Sequence, residues 1–231
     1  MIIQHYKSRY DFALQLIELC KAILQKETVE QIEEKEHAND LVTNLDKLLN
    51  KRLIDAIAQA FDDQIIGEEQ SQAGNNNHTW YIDPIDGTTN CIYRKREYAI
   101  SIAYEGDEGR FGLVFDVENN TLYHAHSDLG AWINGVPFER PATPDFGIIH
   151  ISPPYLKEKT YEDFANLFKG IRYLEVCSIE VIRVAIGEAS CFYRREQKVW
   201  DYKAAVIFAE IVGVHVDIIN DDTVLVGTPF Q

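Results

Sequence analysis

The sequence of 231 residues lacks the features that mark several classes of protein. It has four cysteines and no CxxC pair, so neither a disulfide framework nor a zinc ribbon is indicated. It has no apolar run long enough for a signal peptide or a membrane span. We therefore expect reduced, partly buried thiols in a cytoplasmic protein that is not bound to a membrane.

Positive charge is also scarce. Lys and Arg number 22 against 37 Asp and Glu, which gives a net charge of −15. A basic surface for nucleic acid is therefore excluded, and a chain this acidic repels a phosphate ester unless bound cations reverse the local field.

The motifs GxxxxGK[ST], GxSxG and HExxH are absent. His124 and His126 share one strand face but have no third ligand nearby, so we expect an ordinary strand rather than a zinc site.

Hydrophobic periodicity divides the chain into a helical start and a strand-rich remainder. Apolar residues at steps of three and four predict helices within 10–25 and 44–61. The polar stretch 26–40 between them predicts a solvated loop or a mobile flap. Alternating segments over 97–138 predict an antiparallel meander. Later helical and strand patterns alternate, with one helix predicted over 159–170, which indicates helices layered on a sheet.

Acidic residues stand at the ends or starts of three predicted elements. They are Glu68 and Glu69 in "QIIGEE", Asp83 and Asp86 in "YIDPIDGTTN", and Asp201 in "VWDYKAA". Each has a purely structural explanation. The glutamates suit a solvated loop, Pro84 and Gly87 suit a tight turn, and Asp201 suits the N-cap of the helix that follows it.

The same acids also suit a metal site. Mg²⁺ takes oxygen ligands in octahedral geometry, and acids three residues apart in a turn can point into one space. Asp83 would then bridge two cations. Glu68 and the Ile85 carbonyl would complete one cation site, and Asp86 and Asp201 would complete the other. Two cations about 3.5–4 Å apart are the usual clamp for phosphoryl transfer to water, and the N–H groups after the turn would hold phosphate oxygens.

Five segments in this order resemble the inositol monophosphatase family of metal-dependent, lithium-sensitive phosphatases. They are "NDLVTNLDK" (39–47), "IIGEE" (65–69), "WYIDPIDGTTN" (80–90), "LGAWINGVPF" (129–138) and "VWDYKAA" (199–205). The resemblance implies a five-layered αβαβα sandwich of the inositol monophosphatase and fructose-1,6-bisphosphatase type, assembled as a homodimer. It implies an N-terminal α+β half over 1–140 with the metal-binding loops, and a C-terminal α/β half over 141–231 that completes the site with Asp201.

The resemblance also implies roles for single residues. The metal ligands would be Glu68, Asp83, Ile85 (carbonyl), Asp86 and Asp201, holding two or three Mg²⁺ ions. The catalytic residues would be Glu68 and Thr88, which orient the attacking water, and Asp46, which would hydrogen-bond Thr88. The substrate contacts would be Asp86, Gly87, Thr88, Ser178 and Arg194. Further matches are Asp40 and Thr43 behind the metals, Glu69 beside them, and Lys35 in the family's mobile flap.

The implied reaction is Mg²⁺-dependent hydrolysis of small phosphate monoesters, such as inositol monophosphate or related sugar and polyol phosphates, by metal-activated water. Two departures weaken strict inositol specificity. Arg194 stands where inositol-specific members carry a glutamate, and Ile179 and Glu180 replace small residues. Fructose-1,6-bisphosphatase activity, NADP phosphatase activity and a non-catalytic regulatory role within the same family therefore stay open.

Overall fold

The structure is a computed structural model that describes residues 6–34, 41–142, 147–152 and 168–227. None of the described helices combines the length and the apolar character that crossing a membrane requires. In chain order the described elements are α1 (Arg9–Leu24), β1 (Ile32–Glu34), β2 (Leu41–Thr43), α2 (Asn44–Ala60), β3 (Asp63–Gly67), β4 (Asn75–Asp86), α3 (Thr88–Arg94), β5 (Ala99–Gly106), β6 (Gly109–Asp116), β7 (Thr121–His126), β8 (Gly130–Ile133), β9 (Val136–Pro137), β10 (Ile148–Ile151), β11 (Gly170–Arg172), α4 (Cys177–Ala185), β12 (Cys191–Arg194), α5 (Val199–Ile211), β13 (Val216–Ile219) and β14 (Thr223–Gly227).

The first large sheet has seven strands in the sequential order β3 to β9. Strands β5 to β9 pair antiparallel with their neighbours, which confirms the predicted meander. Only the pair of β3 and β4 is parallel, and it aligns Gly67 with Ile82. Because parallel strands end at the same edge of a sheet, this pairing brings the end of "IIGEE" beside "DPID".

Helices α1 and α2 cover one face of this sheet. Alternate residues of β5, Ile100, Ile102 and Tyr104, are buried in the same apolar cluster as Leu16 and Leu49 of the two helices. Hydrogen bonds from side chains start both helices. Ser8 accepts from the Asp11 N–H at the start of α1, and Thr43 and Asp46 form a reciprocal capping box at the start of α2.

Helices α4 and α5 lie between the first sheet and the second. The sheet residues that face these helices are small, among them Ala99, Ala103 and Ala125. Small side chains let the backbones come close. A Cβ added to Gly112 of β6 would lie 2.1 Å from the carbonyl oxygen of Ala204 in α5, so only glycine fits there.

The second sheet has five strands in the order β11-β10-β12-β14-β13. Its outer face carries a further apolar cluster of Ile149, Ile151, Cys191, Leu225 and Phe168. The described residues therefore form four layers, which are helices, sheet, helices and sheet. Apart from its last three residues, the helix predicted over 159–170 lies outside the described ranges.

Two segments differ from the sequence predictions. The polar stretch predicted as a loop or flap contains β1, which pairs antiparallel with β2 from Ile32 opposite Thr43 to Glu34 opposite Leu41. The residues between these strands, which include Lys35 and Asp40, lie outside the described ranges. Within the later alternation of helices and strands, the pattern over 171–177 predicts a strand, but β11 ends at Arg172, and Glu175 has a positive φ of 62° before α4 begins.

The cysteines and the two histidines lie in the interior of the fold. All four cysteines are buried with free thiols. His124 and His126 are buried beside α1, where the Tyr10 hydroxyl lies 2.6 Å from His124 Nδ1. Burial lowers the pKa of His124 to about 4, so this ring is neutral near pH 7.

The contact between β6 and α5 gives a test of the fold. Gly112→Ala should lower the free energy of unfolding by on the order of 1–3 kcal/mol, because α5 must move away from the sheet. Gly170→Ala on β11 is the matched control, since its Cβ would meet only the Arg172 side chain at 3.4 Å and other atoms at 3.9 Å. Urea unfolding of both variants measures the difference, and equal stability of the two would contradict the close packing.

Candidate active site

A cavity of about 400 Å³ opens where β3 and β4 end and where α3, α4 and α5 begin. The carboxylates predicted to act together all line this cavity. They are Glu68, Asp83, Asp86 and Asp201, and Ile85, Gly87 and Thr88 line it with them. The structure therefore brings together acids that are separated by more than a hundred residues in the chain.

A β-bulge shapes the segment from Asp83 to Asp86. Asp83 lies opposite Ser101 of β5 and Asp86 lies opposite Ala99, so β4 has one more residue than β5 in this interval. The Asp83 Oδ1 accepts a hydrogen bond from the Ile85 N–H at 3.0 Å. The predicted tight turn is thus a strand that bulges and continues to Asp86, and helix α3 begins two residues later.

Gly87 links β4 to α3. Its φ of +92° favours glycine, and a Cβ there would lie 2.8 Å from the Val176 side chain. It precedes the short helix α3, whose first residue is Thr88. The bulge and the left-handed glycine together deliver Thr88 to the cavity beside the acids.

Asp86 caps helix α4 from a different part of the chain. Its Oδ1 accepts from the Cys177 N–H at 3.1 Å, and its Oδ2 accepts from the Ser178 N–H at 2.7 Å and the Ser178 hydroxyl at 2.5 Å. The N-cap residue Val176 has no side chain that can cap. Burial raises the pKa of Asp86 to about 6, although the hydrogen bonds from Ser178 oppose the rise.

Asp201 lies inside the first turn of α5 rather than at the N-cap position that the sequence suggested. The N-cap residue is Lys198, whose N–H donates to Asp201 Oδ2 at 2.8 Å. Burial raises the pKa of Asp201 to about 7, and the nearby charges of Asp86 and Glu68 add to the rise. This carboxyl is therefore partly protonated near neutral pH while no cation is bound.

Asp83 is buried beside the other acids of the cavity. It is only 3% exposed, and burial raises its pKa well above the ordinary value. The charges of Glu68, Asp86 and Asp201 raise the pKa further. Four acids around one cavity therefore repel one another, and this repulsion opposes folding until a positive charge relieves it.

The carboxylates share the cavity without forming a closed metal cage. Within the described ranges, no group of three or more His, Cys, Asp or Glu side chains is arranged to hold a metal ion as it stands. Asp83, Asp86 and Asp201 each accept a hydrogen bond from a backbone N–H. Each carboxylate oxygen has two lone pairs, so acceptor sites remain on all three.

The carboxylate of Asp46 contacts the hydroxyl of Thr88. That hydroxyl lies 3.2 Å from Asp46 Oδ1 and 3.0 Å from the Ile85 carbonyl oxygen, so the predicted contact between Asp46 and Thr88 is present. Asp46 is fully buried and also accepts from the N–H and hydroxyl of Thr43. Burial raises its pKa.

The predicted substrate residues lie in different surroundings. Arg194 lines the cavity, whereas Ser178 is fully buried and contacts Asp86 instead of the open space. The sequence did not indicate Tyr173, Glu175 or Gln197, which also line the cavity. No motif marks these three residues, because loops that follow β11 and β12 carry them to the cavity.

Comparisons with known proteins agree with this arrangement. The model of the inositol monophosphatase family matches residues 4–227. The inositol-1-monophosphatase of Bacillus subtilis is 34% identical over 221 residues, covering 86% of this chain and 83% of that protein.

Two solved structures are similar over most of both chains. A crystal structure of an IMPase/NADP phosphatase with Mg²⁺ and phosphate has a TM-score of 0.83 at 27% identity, covering 94% of this chain and 88% of that chain. A lithium chloride-soaked inhibitory complex of a staphylococcal inositol monophosphatase has a TM-score of 0.80 at 26% identity, covering 94% and 86%. The predicted sandwich fold is thereby confirmed, as is the prediction, at the level of the family, of a phosphoric monoester hydrolase. The chain belongs to the inositol monophosphatase family.

Proposed function

We propose that this protein is a Mg²⁺-dependent phosphatase that hydrolyses small phosphate monoesters, such as inositol monophosphate or related sugar and polyol phosphates. The observation that carries the proposal is the group of four carboxylates around one cavity, with raised pKa values at Asp83, Asp86 and Asp201. Acids this strongly perturbed in a cleft are typical of functional sites.

The donor set fits a hard divalent cation. The cavity offers carboxylate oxygens and the Ile85 carbonyl, and these are the ligands that Mg²⁺ prefers. Bound cations would also remove the repulsion that raises the pKa of Asp83. The residues that would hold them are Glu68, Asp83, Ile85 (carbonyl), Asp86 and Asp201.

Bound divalent cations supply positive charge that neutralises a phosphate ester and lowers the pKa of nearby water. The chain supplies the positioning. Asp46 fixes the hydroxyl of Thr88, which with Glu68 would orient the water that attacks phosphorus. The backbone N–H groups of Gly87 and Thr88 would hold phosphate oxygens where the chain enters α3.

Asp86 and Ser178 have a different part in this proposal. Ser178 would act through Asp86, because its hydroxyl and N–H both donate to that carboxylate and hold it at the start of α4. The direct substrate contact suggested for Ser178 by the sequence is therefore replaced by a supporting one. The division into halves at residue 140, two or three bound ions and a homodimer stay predictions from the resemblance, and the cytoplasmic location stays a prediction from the lack of an apolar run in the sequence.

A second candidate is hydrolysis of a substrate with a further phosphate, such as fructose 1,6-bisphosphate or NADP. It is favoured by the position of Arg194 in the cavity and by the structural similarity to an IMPase/NADP phosphatase. A regulatory role without turnover is disfavoured, because clustered buried carboxylates cost stability without a cation to hold.

Asp83→Asn tests the assignment of the shared ligand. The variant should fold and should lose phosphate release by several orders of magnitude, because one ligand common to two cation sites is gone. Phosphate release from a panel of sugar phosphates and NADP with Mg²⁺ measures the effect. Asp55→Asn is the control, since Asp55 forms an exposed ion pair with Lys51 on α2.

Near wild-type hydrolysis by Asp83→Asn would remove Asp83 from the proposed ligand set. A wild-type protein that binds Mg²⁺ in calorimetry but releases no phosphate from any ester of the panel would favour the regulatory role instead.

Lithium gives a second test. If Asp83, Asp86 and Asp201 hold the more weakly bound cation, Li⁺ at or below millimolar concentration should inhibit phosphate release by competing at that position. Initial rates measured against increasing Li⁺ at fixed Mg²⁺ provide the comparison, with an equal concentration of K⁺ as the ionic-strength control. Activity that tens of millimolar Li⁺ leaves unchanged would argue against this ligand set.

The raised pKa values give a third test, made without divalent cations. Asp201 has a folded pKa of about 7 against an ordinary value of 3.8, so its contribution to stability is present below the ordinary pKa and is lost as the pH rises to about 7. Urea unfolding in EDTA from about pH 4 to about pH 8 should therefore give a falling free energy of unfolding, at about 1.4 kcal/mol for each unit between the two pKa values.

Asp201→Asn should flatten this fall, and added Mg²⁺ should restore stability to the wild-type protein at the higher pH. An unchanged pH profile in Asp201→Asn would mean that this carboxyl does not carry the repulsion.

A further inference from the structure

Helix α2 carries two buried polar side chains on one face. Asp46 and Asn50 are four residues apart, so they project from neighbouring turns on the same side of the helix. Asp46 is fully buried and Asn50 is 2% exposed. The carboxylate of Asp46 contacts the Thr88 hydroxyl, which orients water in the proposed function. Asn50 is the member of the pair to which the proposed function gives no part.

Asn50 contacts the residue that precedes Glu68. A Cβ added to Gly67 at the end of β3 would lie 3.1 Å from Asn50 Oδ1, so the amide packs directly against the backbone of Gly67. The same point lies 2.6 Å from the Gln70 carbonyl oxygen and 3.6 Å from the Ile82 carbonyl oxygen. The amide of Asn50 and these two carbonyl groups therefore surround Gly67 closely.

The segment 67–72, which we call the acidic loop, is closed by its own hydrogen bonds. Ile65 and Gln72 exchange two backbone hydrogen bonds of 2.9 Å at its base. Within it, the Gly67 N–H donates to Ser71 Oγ at 3.2 Å. Because these bonds tie the loop together, a contact at one point of the loop also affects the position of the acids that it carries.

The amide oxygen of Asn50 is buried and has no hydrogen-bond partner within the described ranges. Its neighbour beside Gly67 is another acceptor, the Gln70 carbonyl oxygen. A buried acceptor without a donor is unfavourable, and two acceptors that face each other repel. Rotating the amide by half a turn exchanges Oδ1 with Nδ2 in the same volume and presents an N–H to that carbonyl. This orientation removes the repulsion and gives the carbonyl a donor.

We propose that Asn50 is a positioning residue for the cation site, whose amide donates from Nδ2 to the Gln70 carbonyl and thereby fixes the acidic loop and Glu68. The inference rests on the proposed phosphatase function and adds a residue to it. Because α2 also holds Thr88 through Asp46, one helix would set the distance between Glu68 and Thr88. Hydrogen bonds one layer outside the ligands orient those ligands and tune metal affinity.

Asn50→Leu tests the proposal, because it removes the amide with little change in volume. Mg²⁺ binding, measured by calorimetry without substrate, should weaken by about tenfold, since Glu68 is held less well. The Mg²⁺ concentration for half-maximal phosphate release should rise by the same factor, whereas KM for the ester should change by less than about twofold. Gln59→Leu is the matched control, because Gln59 is an exposed amide residue on the same helix, and it should behave as the wild type does.

Gly67→Ala tests the same contact from the side of the loop. Its Cβ would lie 2.6 Å from the Gln70 carbonyl oxygen, so the acidic loop must move relative to α2. Mg²⁺ binding should again weaken by about tenfold. In Asn50→Leu/Gly67→Ala the loss should be smaller than the product of the two single losses, because both substitutions disrupt one contact. Multiplied losses would mean that the two residues act independently, which contradicts the proposal.

Hydrogen exchange gives a measurement that needs no cation. In EDTA, the backbone amides of 68–71 should exchange faster in Asn50→Leu by about tenfold, because the loop opens more often. Amides of α5 should exchange at the wild-type rate, which separates loosening of the loop from loss of global stability. A variant that is less stable in urea but keeps wild-type Mg²⁺ affinity and wild-type exchange of 68–71 would overturn the inference, since Asn50 would then support the fold alone.

These measurements distinguish failure of the inference from failure of the proposed function. If the wild-type protein releases phosphate from none of the esters of the panel, the phosphatase proposal fails. Calorimetry with Mg²⁺ and hydrogen exchange then still decide the role of Asn50. Weaker Mg²⁺ binding together with faster exchange of 68–71 supports the positioning role, and unchanged values of both overturn it.

Discussion

Repulsion among buried carboxylates is the constraint on which the rest of this structure depends. Burial raises the pKa values of Asp83, Asp86 and Asp201, and the charges of neighbouring acids raise those of Asp83 and Asp201 further. A fold gains nothing from such an arrangement on its own, since every acid brought inside costs desolvation energy. Such an arrangement is typical of functional sites, and hydrogen bonds from backbone N–H groups hold Asp83, Asp86 and Asp201 in place.

That rigidity comes from backbone contacts that join distant parts of the chain. The parallel pairing of β3 with β4 sets Glu68 beside the bulge. The close approach of α5 to the meander, across Gly112, carries Asp201 to the same edge. Asp86 caps α4 and so couples the first sheet to the helices of the middle layer. The positions of the acids in the site therefore depend on how the layers of the fold pack.

The part of the cavity wall that Arg194 forms has a different chemistry from the acidic part. Glu180 and Arg194 form a buried ion pair that is supported by His150 and by aromatic rings. A buried ion pair is seldom the most stable choice for a core position, because the cost of desolvating both charges offsets their attraction.

The sequence by itself determined the class of fold, and it predicted which acids lie together around the cavity. Asp83, Asp86, Gly87 and Thr88 lie within one short motif, and local spacing is enough to predict that they act together. The meander was equally predictable, because alternation and turn residues are local signals. The bulge that replaces a simple turn, the place of Asp201 inside α5, and the hairpin of β1 and β2 were not predicted. Only the tertiary structure decided that Ser178 supports Asp86 and that Glu180 holds Arg194. The physical reason is that these contacts join separate elements, so they depend on how the layers pack and leave no periodic trace in the sequence.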